Sequence, residues 1–280
     1  MKNRKMAGIM KERLIKILDY IEEHGGATTA ELTEYFGVSE MTIRRDLIFL
    51  EKEDKIVRFH GGAGIKKHQR LESAFDIRLK TNYESKCRIA AKAAQYLENL
   101  SQSGQARSIF MGGGSTMYCM AECISEQLTA TVVTDNLYVS SVLVKNPSNS
   151  VIIIGGQLVL PSLNVVGFTA EKMLSGFSMD YCFIGSSAID EEGSLYSYTL
   201  SEAGFFAAAM NSAKHTVVLA DHSKLGTKNL VQIARMSQDF TIITDHMAPA
   251  GILKRYQTLG AEVLVAESVT GENADITVFQ

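Results

Sequence analysis

The clearest pattern of apolar and polar positions lies between residues 39 and 52, where apolar side chains recur every three or four positions. This spacing predicts an amphipathic helix whose apolar face carries Ile43, Leu47 and Leu50. Ser39 stands where the helix would begin, and its side-chain oxygen can accept a hydrogen bond from an unpaired amide of the first turn. The pattern therefore predicts a capped helix that packs through one face and leaves the other face exposed.

The exposed side of this helix would carry Thr42, Arg44 and Arg45 near its N-terminus. A recognition helix needs this arrangement, because its N-terminal residues enter the major groove of DNA. Arginine can form two hydrogen bonds with guanine, and threonine can bond base edges or phosphate. Two arginines on a helix surface are often only solvated, so the interpretation depends on the flanking segments.

The preceding segments predict two more helices. Residues 28–36 read as a short helix that stops at Gly37, and residues 11–24 read as a helix that packs behind it. Two helices joined by a turn at residues 37–39 make a helix-turn-helix.

The following segment, residues 55–60, alternates like a strand and ends at a Gly-Gly pair. This indicates a β-hairpin wing beside the helices. The residues that we predict to contact DNA are Thr28, Thr29, Ser39, Thr42, Arg44, Arg45, Arg58 and His60.

From residue 85 onward, apolar strands alternate with helices, which predicts an α/β unit with a doubly wound parallel sheet. The predicted strands are 107–111, 130–134, 151–154, 181–184, 216–220 and a last strand at 240–244. The predicted helices are 85–99, one that ends near residue 126, 137–145, 169–175 and 201–213.

Small and polar residues follow several of these strands, and in such sheets ligands bind beyond the carboxyl ends of the strands. The segment Gly112–Thr116 is the strongest candidate, because glycines permit close approach of the backbone and a helix start offers unpaired amides to an anion. Lys224 could supply a cation to the same anion. A tight turn and a solvated lysine are the simpler alternatives.

Charge and cysteine content narrow the class of protein. The chain of 280 residues has a net charge of −3, with +3 on residues 1–70 and −6 on the remainder, which suits a local DNA-contacting surface. No apolar run is long enough to span a bilayer and no signal peptide is present, which predicts a cytoplasmic location. We expect reduced, buried thiols at Cys87, Cys119, Cys123 and Cys182, with metal binding or redox sensing as the alternative, and we expect no cofactor or metal.

Several short motifs resemble the signature of the DeoR/GlpR family of bacterial transcription regulators. They are Val38-Ser39, residues 42–47 (Thr-Ile-Arg-Arg-Asp-Leu), Leu50-Glu51 and residues 58–63 (Arg-Phe-His-Gly-Gly-Ala), and the resemblance runs from about residue 11 to about residue 246. The resemblance implies a winged helix-turn-helix at residues 10–65, a linker at 66–84 and a sugar-phosphate sensor at 85–280, whose fold is similar to ribose-phosphate isomerases and CoA transferases. It also implies a homo-oligomeric repressor of a carbohydrate operon.

The family's pocket segments imply a set of effector-binding residues in this chain. They are Gly113, Gly114, Ser115, Thr116, Thr134, Asp135, Gly155, Gly156, Gly185, Glu202 and Lys224. Three positions depart from the family pattern, because Gly112 stands in place of an aspartate, Asp135 in place of an asparagine and Phe206 in place of a lysine. The hypothesis is a sensor with an altered ligand or a weakened response.

The sequence thus predicts a regulator that binds a double-stranded DNA operator and a small-molecule effector, with no contact to a membrane. Two other functions stay open at this level. A sugar-phosphate isomerase could use Glu202 as a base and Lys224 as an anion clamp, and the winged helix could dock another protein instead of DNA.

Overall fold

The computed structural model describes residues 13–21, 24–53, 55–59, 61–65, 71–124, 128–160 and 162–267. The chain divides into two units, Met1–Thr81 and Asn82–Gln280. We call them the head and the effector unit.

The head consists of helices beside a small antiparallel sheet. Its elements are the helical residues 13–21 (α1), β1 Gly26–Thr28, α2 Thr29–Phe36, α3 Glu40–Lys52, β2 Ile56–Phe59, β3 Gly62–Ile65 and α4 Leu71–Lys80. The strand order is β1-β3-β2. The predicted helices and hairpin wing are present, whereas β1 was not predicted. Helix α4 packs against β1 in the head and lies within the segment predicted as a linker.

The caps of α2 and α3 follow from local sequence. Thr28 and Glu31 form a capping box at the start of α2, and Gly37 ends that helix in the left-handed conformation. The Ser39 side chain accepts a hydrogen bond from the Thr42 amide at the start of α3. These two caps fix the turn between the helices.

The described core of the head is mostly apolar, and it contains one buried member of an ion pair. Ile43, Leu47 and Leu50 of α3 are buried in it, as their spacing predicted. Asp46 on the same helix is only 1% exposed, and Arg13 of α1 donates to it from Nε at 2.6 Å and from a terminal nitrogen at 3.2 Å. This bidentate pair ties α1 to α3 and raises the pKa of Arg13.

The effector unit is built on a seven-stranded parallel sheet. Its main strands are β4 Ser108–Met111, β5 Thr131–Thr134, β6 Ser150–Ile153, β9 Met179–Gly185, β12 Ala213–Leu219, β14 Phe240–Asp245 and β15 Glu262–Ala266. The helices are α5 Tyr83–Gln102, α6 Ser115–Cys123, α7 Leu137–Leu143, α8 Phe168–Leu174, α9 Leu200–Asn211 and α10 Ala250–Thr258, with a 3-10 turn at His222–Lys224. The fold class predicted from the sequence is confirmed.

The order of the sheet, β15-β14-β12-β9-β4-β5-β6, reverses direction between β4 and β9. The chain moves outward from β4 through β5 to β6, then crosses over and moves outward the other way from β9. Because such crossovers are right-handed, the two halves place their helices on opposite faces of the sheet. The switch point between β4 and β9 is the place where α/β sheets of this order bind ligands.

The strand predicted at residues 240–244 is present as β14, but it is not the last strand, because α10 and β15 follow it and β15 pairs with β14. Five short strands were also not predicted. They form a hairpin of β7 Gln157–Val159 with β8 Asn164–Val166, and a separate sheet of β10 Ala188–Ile189, β11 Ser194–Ser197 and β13 Val231–Arg235. In the described residues, no helix has both the length and the apolar character needed to cross a bilayer.

The buried ion pair between Arg13 and Asp46 predicts that removal of the Asp46 carboxylate destabilises the head. We expect Asp46→Ala to lower the free energy of unfolding of the head by roughly 2 kcal/mol, because Arg13 would lose its partner in a partly buried position. Urea unfolding of the full chain, with amide hydrogen exchange of α3 as the reporter, measures the change. The control is Glu40→Gln, which breaks the exposed pair between Glu40 and Arg44 and should cost no more than about 0.5 kcal/mol. Equal costs for the two variants would contradict the prediction.

Candidate functional site

The polar face of α3 is exposed. Arg44 and Arg45 both lie on the surface of the head, and the Arg44 side chain is 63% exposed with its guanidinium 2.6 Å from Glu40. Thr42 is half-buried at the start of the helix, where its hydroxyl lies 2.9 Å from that of Ser39. The helix thus combines an apolar buried face with two exposed cations near its N-terminus.

The two threonines at the start of α2 differ from each other in burial. The Thr29 side chain is buried and donates to the Gly61 carbonyl at 3.1 Å, so the predicted DNA contact at Thr29 is corrected to a role inside the head. Thr28 is half-buried, and its hydroxyl and amide are engaged with Glu31 in the capping box. The distinction depends on burial, which the sequence pattern does not show.

The wing carries a further cation. Arg58 on β2 is exposed, and its guanidinium lies 3.5 Å from Glu51 at the end of α3. An exposed pair at this distance contributes little to stability, so Arg58 can exchange Glu51 for another anion at small cost. His60, which was also predicted to contact DNA, lies outside the described residues.

The predicted effector residues stand at the carboxyl edge of the parallel sheet. Gly113, Gly114, Ser115 and Thr116 follow β4 and begin α6, and Gly185 ends β9 on the other side of the switch point. The remaining predicted residues follow strands farther out: Thr134 and Asp135 at the end of β5, Gly155 and Gly156 after β6, and Lys224 after β12. Neighbouring strands are about 4.8 Å apart, so Gly155 and Lys224 each lie two strands, or about 10 Å, from β4.

The glycine loop after β4 packs tightly against two asparagines. A Cβ atom at Gly113 would lie 2.1 Å from Oδ1 of Asn164 and 2.7 Å from Nδ2 of Asn136, so only glycine fits there. Asn136 donates to Asn164 at 2.6 Å and also caps α7 by accepting from the Val139 amide at 2.9 Å. The loop that offers backbone amides is therefore held rigid by a buried amide pair.

Sequence reasoning did not find Asn164. Asn136 follows the predicted strand 130–134 and precedes the predicted helix 137–145, and an asparagine at such a position is a recognisable capping signal. Asn164 lies in a short hairpin strand that gives no local signal, since its role depends on a partner 28 residues away.

Gly112 and Phe206 depart from the family pattern, and the structure places them in contact. A Cβ atom at Gly112 would lie 3.4 Å from the Phe206 ring and 3.5 Å from Ile184. Phe206 is 9% exposed and belongs to the apolar core of the effector unit. An apolar contact thus lies beside the switch point, where the family places an acid and a lysine.

Asp135 is a buried carboxylate without a hydrogen-bond partner. The residue is fully buried, and neither carboxylate oxygen meets a donor at hydrogen-bonding distance and angle. Burial raises the pKa of Asp135 to about 7, the charge of Glu202 adds to the rise, and the nearby amides of Asp135 and Gly113 oppose it. Near neutral pH the group therefore exchanges between a neutral acid and an uncompensated charge.

Glu202 lies on the first turn of α9 and is held by hydroxyl groups. One of its carboxylate oxygens accepts from Ser197 at 2.9 Å and from Thr199 at 3.3 Å. The backbone amide of Glu202 donates to Thr199, which caps the helix. The carboxylate of Glu202 is thus close enough to Asp135 to help raise the pKa of Asp135.

The four cysteines are free, and their burial differs from the expectation in part. Cys119 and Cys182 are buried, Cys87 is half-buried and Cys123 is exposed, so the expectation of burial is corrected for Cys123, which lies on the last turn of α6. Within the described ranges, no cluster of three or more histidine, cysteine or acidic side chains is placed to hold a metal ion.

The head is a winged helix-turn-helix with exposed arginines, and the effector unit is an α/β sheet with a glycine-rich loop at its carboxyl edge. This combination is that of a DNA-binding regulator with a sensor unit. Comparisons with known proteins agree. The family model described as the DeoR-like helix-turn-helix domain matches residues 13–69, and that described as the DeoR C terminal sensor domain matches residues 81–246. The chain belongs to the DeoR family of transcription regulators, and it is a regulator and not an enzyme.

Two relatives illustrate how much of the chain is shared. The glycerol-3-phosphate regulon repressor of Escherichia coli is 30% identical over 238 residues, which cover 85% of this chain and 92% of that protein. The transcriptional repressor GlcR of Bacillus subtilis is 29% identical over 265 residues, which cover 94% and 99%. Among solved structures, ribose 5-phosphate isomerase A of Methanocaldococcus jannaschii matches with a TM-score of 0.37 and 17% identity. The match covers 51% of this chain and 55% of that one.

The buried carboxyl group of Asp135 predicts that the free energy of unfolding of the effector unit depends on pH. The unfolded chain releases the Asp135 proton near pH 3.8, whereas the folded protein holds it up to about pH 7. The cost of Asp135 therefore grows as the pH rises between these values and is constant above them. We expect Asp135→Asn to stabilise the effector unit at pH 8 by an amount on the order of 4 kcal/mol, and by clearly less at pH 5.

Urea unfolding followed by circular dichroism at both pH values measures this difference. Asp239→Asn, which removes an exposed carboxylate from the same unit, serves as the control and should change stability little at either pH. A gain from Asp135→Asn that is the same at pH 5 and pH 8 would contradict the buried, uncharged state of the acid.

Proposed function

We propose that this protein is a cytoplasmic transcriptional repressor that binds an operator as an oligomer and is controlled by a phosphorylated carbohydrate metabolite. The observation that supports this most is the geometry of α3, whose apolar face is buried while Arg44 and Arg45 are exposed. Such a helix can enter the major groove without exposing its core. Two relatives, the glycerol-3-phosphate regulon repressor of Escherichia coli and the transcriptional repressor GlcR of Bacillus subtilis, support the same function.

The proposed DNA contacts are those polar residues of the head that the fold leaves accessible. Arg44 and Arg45 read base edges or phosphates, and Ser39 and Thr42 lie at the helix start that faces the groove. Arg58 on the wing contacts the phosphate backbone beside it. Two or more heads bind repeated half-sites whose spacing is set by the symmetry of the oligomer.

The proposed effector site is the carboxyl edge around the switch point. The amides before α6 and the ammonium group of Lys224 attract an anion, and Lys224 forms no ion pair with any described residue. The carboxylates of Asp135 and Glu202 favour ligand groups that donate hydrogen bonds, and they disfavour a doubly charged phosphate close to them. An effector bound preferentially by one arrangement of the oligomer would shift the population toward or away from the state that fits the operator.

The DNA-binding proposal predicts that Arg44 and Arg45 are each required for full affinity for DNA. We expect Arg44→Ala and Arg45→Ala each to weaken binding of a duplex selected in vitro roughly tenfold or more, and to reduce the dependence of affinity on salt. Fluorescence anisotropy over a series of salt concentrations measures both quantities. Arg255→Ala removes an exposed, ion-paired arginine from the effector unit and should leave affinity unchanged. Unchanged affinity in both α3 variants would refute the proposed recognition helix.

The altered pocket predicts weak binding of ordinary sugar phosphates by the wild-type protein. We expect calorimetric titrations with glycerol 3-phosphate, glucose 6-phosphate and ribose 5-phosphate to show low affinity. The double variant Gly112→Asp with Phe206→Lys should bind at least one of them more tightly, roughly tenfold, because it restores an acid for hydroxyl groups and a cation for phosphate. Phe206→Leu, which keeps the contact apolar, is the matched control. Tight binding by the wild-type protein would count against an altered pocket.

A further inference from the structure

The chain passes from the head to the effector unit at Asn82, the first residue of the effector unit. Asn82 adopts the left-handed conformation, with φ 51° and ψ 37°, immediately before α5. It occupies the N-cap position of α5, yet its side chain makes no capping hydrogen bond. An asparagine at this position ordinarily accepts a bond from the first turn of its own helix, so the side chain of Asn82 serves another purpose.

That side chain reaches a loop 139 residues later in the chain. Nδ2 of Asn82 donates to Oδ1 of Asp221 at 3.1 Å and to the hydroxyl of Ser223 at 3.3 Å. Asp221 is 3% exposed, and the same oxygen accepts from the Ser223 amide at 3.0 Å. A buried carboxylate that gathers several donors makes strong, charge-assisted hydrogen bonds. We call residues 221–225 the anion loop, because they include Lys224.

The anion loop is fixed at other points as well. The His222 amide donates to Asp245 at 2.9 Å, and the His222 ring also lies against that carboxylate, at 3.0 Å. Leu225 forms a β-bridge with Ile189, and the Lys224 amide donates to the Asp221 carbonyl at 2.9 Å. Because Lys224 lies within three residues of Asp221 and its amide donates to the Asp221 carbonyl, a displacement of Lys224 would also displace Asp221 and Ser223.

We propose that Asn82 is a positioning residue that couples the anion loop to the DNA-binding head. An anion held by Lys224 changes the position of Asp221 and Ser223, and their hydrogen bonds to Asn82 then set the direction in which the chain leaves the effector unit. This inference rests on the proposed role of Lys224 in effector binding. It adds the site at which that binding is transmitted along the chain.

A double-mutant cycle on the full chain tests the coupling without a ligand. The first substitution is Asn82→Gly, which keeps the left-handed conformation available and removes the side chain. The second is Asp221→Asn, which keeps the shape of the loop and removes the charge that strengthens the bond. The readout is the affinity for the in-vitro-selected duplex, together with thermal unfolding of each variant.

We expect Asp221→Asn to change duplex affinity about threefold in the wild-type background and by less in the Asn82→Gly background, which is the non-additivity expected of coupled residues. A merely structural role would lower the stability of the effector unit and leave duplex affinity unchanged. Lys214→Gln breaks an ion pair with Asp180 at the opposite end of β12, and it should act additively with Asn82→Gly.

The outcomes separate this inference from the proposed function. Additive effects of Asn82→Gly and Asp221→Asn, or no effect of Asp221→Asn on duplex affinity, would overturn the coupling role of Asn82 even if the arginines of α3 prove essential. If Asp221→Asn unfolds without cooperativity, the cycle is repeated with Ser223→Ala, which removes the second acceptor of Asn82 and the hydroxyl that donates to Asp221, and keeps the Asp221 carboxylate.

Discussion

The effector unit depends on the reversal of strand order between β4 and β9. Because all seven strands are parallel, every strand ends at the same edge, and residues that are far apart in sequence meet there. The reversal also leaves the ends of β4 and β9 without a crossover between them, and sheets of this order bind ligands at such a point. The tight packing of Gly113 on Asn136 and Asn164 holds the glycine loop after β4 in the shape that this position requires.

The sequence predicted those features whose physical cause is local. The face of α3, its Ser39 cap and the stop at Gly37 all arise within one helix or turn, and the structure has them where the pattern placed them. Strand β1 was missed because three residues of Gly-Ala-Thr carry no apolar alternation and are ordered only by pairing with β3. Thr29 was misassigned for a related reason, since its burial depends on the distant Gly61 carbonyl.

The candidate effector site was predictable in outline only. Small residues after apolar strands indicated the correct edge of the sheet, but the contacts that give the site its character join residues far apart in the chain. The contact of Gly112 with Phe206 and the pairing of Asn136 with Asn164 are examples. Neither can be derived from spacing, because each depends on how α9 and the β7–β8 hairpin pack beside the sheet.

Two of the three departures from the expected family pattern, Gly112 and Phe206, lie against each other in the structure. An acid and a lysine at these two positions would form a charged, polar surface, whereas Gly112 and Phe206 form an apolar one. The third departure, Asp135, is a buried acid that no described basic residue neutralises. Burial of an unpaired charge is costly, so such an acid persists in a folded protein only at the expense of stability. A ligand that donates a hydrogen bond or brings a positive charge would recover that cost, and this is the kind of differential interaction through which an effector selects one state of a sensor over another.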